Sequence, residues 1–140
     1  MLKNMTHGLL LCLLAFTLLG MGRGAQDESA VAYNNISAAE AKAFMDSGEP
    51  HVLLDVRTKE EFQERRIQGA ILIPHLEIKE RAASDLPDKG ALILIYCRSG
   101  RRSAMAAREL VQMGYTRVYD FGGINDWPYA VVTGGGSAQQ

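Results

Sequence analysis

Cys97 is followed at once by Arg98, Ser99, Gly100, Arg101, Arg102 and Ser103, so one thiol stands beside three guanidinium groups, two hydroxyls and a glycine. That set suits nucleophilic chemistry at sulfur on a small anion. The reactive form of a cysteine is the thiolate, and positive charge or inward-pointing amides beside it favour ionisation. The same field holds an anionic substrate. Cys97 is therefore the candidate nucleophile, and the N–H groups of residues 98–103 are expected to point inward at it. Gly100 permits a positive φ or a close approach of backbone to ligand. Arg102 is the first choice for gripping an oxyanion with two hydrogen bonds, while Arg98 and Arg101 shape the field at the rim. Ser103 either caps the following helix or hydrogen-bonds the sulfur, and the cap is the favoured reading.

The surrounding elements must bring these groups together. Residues 91–96 are apolar and rich in branched side chains, which predicts a buried strand ending at Cys97. Residues 104–113 read as a helix, with Ala107, Leu110 and Val111 on one face. Strand, short loop and helix aim backbone amides and the positive helix end into one cradle, with Cys97 at its lip. Asp55 and Arg57 end a second apolar strand, 51–56; contact with substrate is one reading, and the favoured one is that they pair with other charges or with loop backbone and hold the site in shape. Glu60, Glu61 and Glu64 with Arg65 and Arg66 read as a solvated helix face, and Trp127 as a packing anchor. His51 and His75 sit on other segments and receive no catalytic role. No His, Cys and carboxylate cluster has metal-ligand spacing, so neither metal nor cofactor is expected.

Two capping boxes mark helix starts, Ser37 with Glu40 and Thr58 with Glu61. The first helix runs to about residue 47, the second to Arg66. Short strands are predicted at 70–73 and 117–120, a helix at 75–84, a turn at Gly122-Gly123 and one helical turn at 124–127. Strands alternating with helices predict an α/β fold: a mostly parallel central sheet of about five strands with helices on both faces. In such sheets ligands lie beyond the carboxyl ends of the strands, where both Cys97 and Asp55-Val56-Arg57 are found.

The chain has 140 residues and a net charge of −1, and no long basic run points to nucleic acid. Lys3 precedes an uncharged apolar run at 8–21, followed by small residues at Gly20, Gly22, Gly24 and Ala25. The run is too short to span a bilayer comfortably and suits an export signal. Residues 1–25 are assigned to that signal, 26–132 to one domain and 133–140 to a flexible Gly/Ser/Gln-rich tail. Cleavage removes the apolar run, so no stable membrane anchor is expected, and the mature protein is placed in the periplasm or outside the cell. It also removes Cys12, leaving Cys97 unpaired in a mildly acidic domain of about −3.

Four pieces in order resemble the rhodanese family: Leu54-Asp55-Val56-Arg57 with Glu61-Phe62, Ile67-Gln68-Gly69-Ala70-Ile71-Leu72-Ile73-Pro74, Ile95-Tyr96-Cys97-Arg98-Ser99-Gly100-Arg101-Arg102-Ser103, and Gly122-Gly123-Ile124-Asn125-Asp126-Trp127. The single domain behind a leader is similar to small exported bacterial rhodaneses. The resemblance implies a thiosulfate sulfurtransferase. Thiosulfate or a similar small sulfur anion loads a persulfide on Cys97, and cyanide or a thiol, protein thiols included, unloads it. Related anion-cradle enzymes, the phosphatases and arsenate reductases, resemble Cys followed by five residues and then Arg. Here that position is Ser103 and the arginine comes one earlier, at Arg102, which implies a smaller cradle. Two alternatives share the fold: a non-catalytic binding module, which in this family lacks the cysteine, and a sulfur carrier, whose chemistry at Cys97 is identical.

Overall fold

Every side chain of strand Leu92–Cys97 is buried. Leu92, Leu94 and Tyr96 pack into one apolar cluster, and Ile93, Ile95 and Cys97 into another. Successive strand residues point to opposite faces, so a strand apolar at every position must be covered on both. The computed structural model describes residues 32–134 and satisfies this demand with a layered sheet. Its strands in chain order are β1 (Asn34–Asn35), β2 (His51–Asp55), β4 (Ile71–Leu72), β5 (Leu92–Cys97) and β6 (Arg117–Gly123). They lie in the order β1-β6-β5-β2-β4, and every neighbouring pair is parallel. Helix α1 (Ala38–Asp46) covers one face through Ala41. Helices α3 (Ile78–Asp85) and α4 (Arg101–Gln112) cover the other through Ile78, Ala82, Ala106, Ala107 and Leu110. The α/β fold with five parallel strands is thus as the alternating pattern predicts.

Both capping boxes form. Ser37 Oγ accepts from the Glu40 amide at 3.1 Å while Glu40 accepts from the Ser37 amide at 2.7 Å. Thr58 and Glu61 do the same at the start of α2 (Lys59–Glu64). Four boundaries differ from expectation. Helix α2 stops at Glu64 rather than Arg66, because Arg65 is extended and its carbonyl accepts from Arg57 Nη2 at 2.6 Å. Arg65–Arg66 instead form β3, antiparallel to β7 (Val132–Thr133). Thr133, assigned to the tail, therefore belongs to the paired structure. A 3-10 turn, His75–Glu77, precedes α3. Strand β6 continues through Gly123, where the sequence suggests a turn. The expected export signal at 1–25 and tail residues 135–140 lie outside the described residues.

Candidate active site

Cys97 closes β5, and α4 begins four residues later at Arg101, three residues earlier than the sequence suggests. Gly100 makes this possible. It takes φ 103°, a left-handed conformation that costs little without a side chain, and serves as the N-cap. In that position its amide donates to Cys97 Sγ at 3.0 Å. Ser103 is therefore inside the first turn of α4 and not its cap. Its buried hydroxyl donates to the Gly100 carbonyl at 3.0 Å and accepts from Cys97 Sγ at 3.6 Å, so Ser103 meets the sulfur and the favoured cap does not form.

Burial pushes the Cys97 thiol up, but the Ser103 hydroxyl and the amides of Ser103, Gly100 and Ser99 more than offset it, and the thiol ends below its ordinary value. Amides and one hydroxyl, rather than guanidinium charge, make the largest contributions. The cysteine is also deeper than a lip. Only 1% of its surface reaches solvent, so it forms the floor of the cradle. Arg98, Ser99 and Arg101 are exposed around it.

Arg102 takes a different partner from the one expected. Its Nη1 and Nη2 donate to Glu61 Oε2 and Oε1 at 2.7 and 2.8 Å. Glu61 is therefore not part of a solvated face: it caps α2 and grips the active-site helix together. Arg102 first, and then the Thr58 amide, hold its carboxyl at about 2 against the opposing effect of burial. Asp55 and Arg57 form a buried ion pair at 2.7 Å, with 0% and 3% of their side chains exposed. Since Arg57 also fixes the Arg65 carbonyl, this pair shapes the frame and makes no approach to the sulfur that the bonds record.

Three further groups escape a reading of local sequence. Gly123 packs against the loop backbone so closely that a Cβ there would lie 2.7 Å from Ser99 Cα and overlap the Arg98 carbonyl. The Asn125 amide donates to that same carbonyl at 3.2 Å. Asp120 is buried, and burial raises its carboxyl above the usual range despite an amide bond from Gly122 at 2.9 Å. The Gly122-Gly123 pair was visible as a motif, and two glycines ending a strand are the signal that another backbone comes close. A cavity of about 220 Å³ lies at the opposite, amino-terminal edge of the sheet, lined by His51, Leu53, Pro87 and Ala91. It contains no cysteine. Among the described residues no group of three or more His, Cys, Asp or Glu is placed to hold a metal ion.

This strand, loop and helix lie inside a stretch, residues 37–129, that matches the family model described as Rhodanese-like domain. The chain belongs to the rhodanese family. The rhodanese stretch is 47% identical over 73 residues to Thiosulfate sulfurtransferase PspE of Escherichia coli (strain K12), covering 52% of this chain and 70% of that one. It is 38% identical over 101 residues to the Putative sulfur carrier protein YrkF of Bacillus subtilis (strain 168), covering 71% of this chain and about half, 54%, of that longer one. Among solved structures, a rhodanese with anions from E. coli superposes with a TM-score of 0.56 at 43% identity, covering 60% of this chain and 99% of that one. The rhodanese fold and the cysteine loop thus agree on one edge of the sheet.

Proposed function

We propose that this chain is a sulfurtransferase that carries sulfane sulfur on Cys97, from thiosulfate or a similar donor to a thiol or cyanide. The observation that carries the reading is the sulfur itself: an amide at 3.0 Å, a hydroxyl at 3.6 Å and a lowered pKa. A thiolate held this way needs no general base to attack the donor. The Cys97 thiolate forms a bond to the outer sulfur of thiosulfate. The sulfur–sulfur bond of the donor breaks, and sulfite leaves with the electron pair. Cys97 then carries a terminal sulfur anion, which the loop amides can stabilise as they did the thiolate. An acceptor takes that sulfur, and the Cys97 thiolate returns.

The depth of Cys97 favours a donor that presents one terminal atom, with its sulfonate left at the rim near Arg98 and Arg101. Arg102 can help only by giving up part of its hold on Glu61. This arrangement, together with the arginine one position early, argues against a tetrahedral phosphoryl substrate. The E. coli relative, named a thiosulfate sulfurtransferase, supports thiosulfate as donor. The B. subtilis relative supports a second reading, a sulfur carrier that passes its persulfide to a protein thiol.

Intact-mass measurement after thiosulfate treatment tests the proposal. The wild type gains one sulfur, lost again on adding cyanide, and Cys97→Ser gains none. A wild type with no gain, or with turnover of aryl phosphates only, overturns it. We propose export through a signal at residues 1–25, supported by the apolar run at 8–21 behind Lys3, and a cytoplasmic, uncleaved protein in fractionated cells would contradict it.

A further inference from the structure

His75 is tied through the sheet to the strand that carries Cys97. Its amide donates to the Val56 carbonyl at 3.0 Å, and the Val56 amide donates to the Tyr96 carbonyl at 3.1 Å. The backbone of His75 is thus two strand spacings, about 10 Å, from the end of β5 that carries Cys97. The half-buried imidazole makes no bond to Cys97, and at that separation a molecule standing on the sulfur would lie between the two. The 3-10 turn of His75 packs against the start of α4, which brings Arg101 and Arg102 near its ring. On its own segment Glu77 is taken up by Arg81 at 2.9 Å. Leu76 beside it is 80% exposed and offers apolar surface to an acceptor with a carbon body.

We propose that His75 is the proton carrier for thiol acceptors in the second half of the reaction, a role that rests on the sulfurtransferase reading. A protonated thiol is a poor nucleophile. The imidazole takes the proton of the acceptor thiol as its sulfur bonds to the outer sulfur of the persulfide. The bond between that outer sulfur and Cys97 Sγ breaks, and Sγ leaves with the electron pair as a thiolate. His75 returns the proton to the transferred sulfur, so the acceptor leaves as a neutral persulfide. Nothing is oxidised or reduced beyond the exchange of one sulfur. Burial, and then Arg102 and Arg101, lower the basicity of the ring, which keeps it in the free-base form this step needs. Cyanide is already an effective nucleophile and has no use for the group.

The test separates the half-reactions in wild type and His75→Gln. Thiosulfate loads both proteins, and unloading is followed by mass with cyanide and with a series of small thiols of rising pKa. The expected result is unchanged loading, unchanged unloading by cyanide, and unloading by the least acidic thiols slowed about a hundredfold. The defect should shrink for thiols already ionised at the assay pH. Equal unloading by every thiol overturns the role of His75, as does a loss shared equally by cyanide and thiols. A wild type that gains no sulfur overturns the function itself. His75→Asn serves as a second variant and should behave as His75→Gln does.

Discussion

Glu61 holds Arg102 through both carboxylate oxygens, at 2.7 and 2.8 Å, across 41 residues of sequence. The active-site guanidinium is thereby oriented and largely neutralised. Removing either partner alone should have opposite effects on an anionic donor. Glu61→Gln frees positive charge and should lower the KM for thiosulfate a few-fold. Arg102→Ala leaves the Glu61 carboxylate unpaired beside the cradle and should raise it about tenfold. The double variant should fall between them. Steady-state kinetics on the three variants checks this, and identical KM values throughout would remove Arg102 from donor binding.

The same pair makes stability depend on acid. The Glu61 carboxyl titrates at about 2 in the folded chain, against 4.5 without its partners. A lowered folded value contributes stability that is complete above about pH 4.5 and lost as pH falls towards 2. Urea unfolding across that window should show a steep loss for wild type and a shallower one for Glu61→Gln. Parallel profiles would mean that the pair contributes nothing to folding.

Ser103→Ala removes the hydroxyl nearest the sulfur. A hydrogen bond to a charged group contributes about 1.5–3 kcal/mol, so the thiol should titrate higher by about one to two pH units. Ultraviolet absorbance of the thiolate reads this directly. Sulfur loading near neutral pH should slow in proportion to the thiolate lost.

Gly123→Ala tests the close approach between β6 and the loop. The added methyl meets backbone at Arg98 and Ser99, which cannot rotate away as a side chain can. The expected cost is about 1–3 kcal/mol. Because the displaced residues carry the amides around Cys97, loading should fall by more than stability does. Normal loading in a folded Gly123→Ala protein would contradict this account of the loop.

Asp55→Asn leaves the buried Arg57 guanidinium with the Arg65 carbonyl but no anionic partner. Breaking a buried ion pair from one side costs about 3–5 kcal/mol. Urea unfolding at neutral pH should show a loss of that order, and recovery in a double variant that also replaces Arg57 with an apolar residue of similar length. A loss well below 1 kcal/mol would show that water reaches the pair.

Features that depend on near neighbours were legible. The capping boxes join residues three apart, and β5 is an unbroken apolar run, so both are written into short windows. The cysteine loop is of this kind, since its chemistry follows from residue types side by side. The start of α4 was read late because Arg101 and Arg102 look like loop residues until Gly100 is known to turn the chain. The end of α2 was missed because the force that unwinds it, the Arg57 bond to the Arg65 carbonyl, comes from the end of another strand.

By itself the chain of residues determined a parallel sheet covered on both faces, a thiol at the carboxyl end of a buried strand and a run of polar groups following it, because local periodicity and composition encode burial. Only the tertiary structure decided that Arg102 is shared with Glu61, that Ser103 faces the sulfur, that Gly123 lies under the loop and that His75 stands two strands from Cys97. Those relationships join positions 6 to 41 residues apart, and a contact at that range exists only once the sheet has set the distance between its strands.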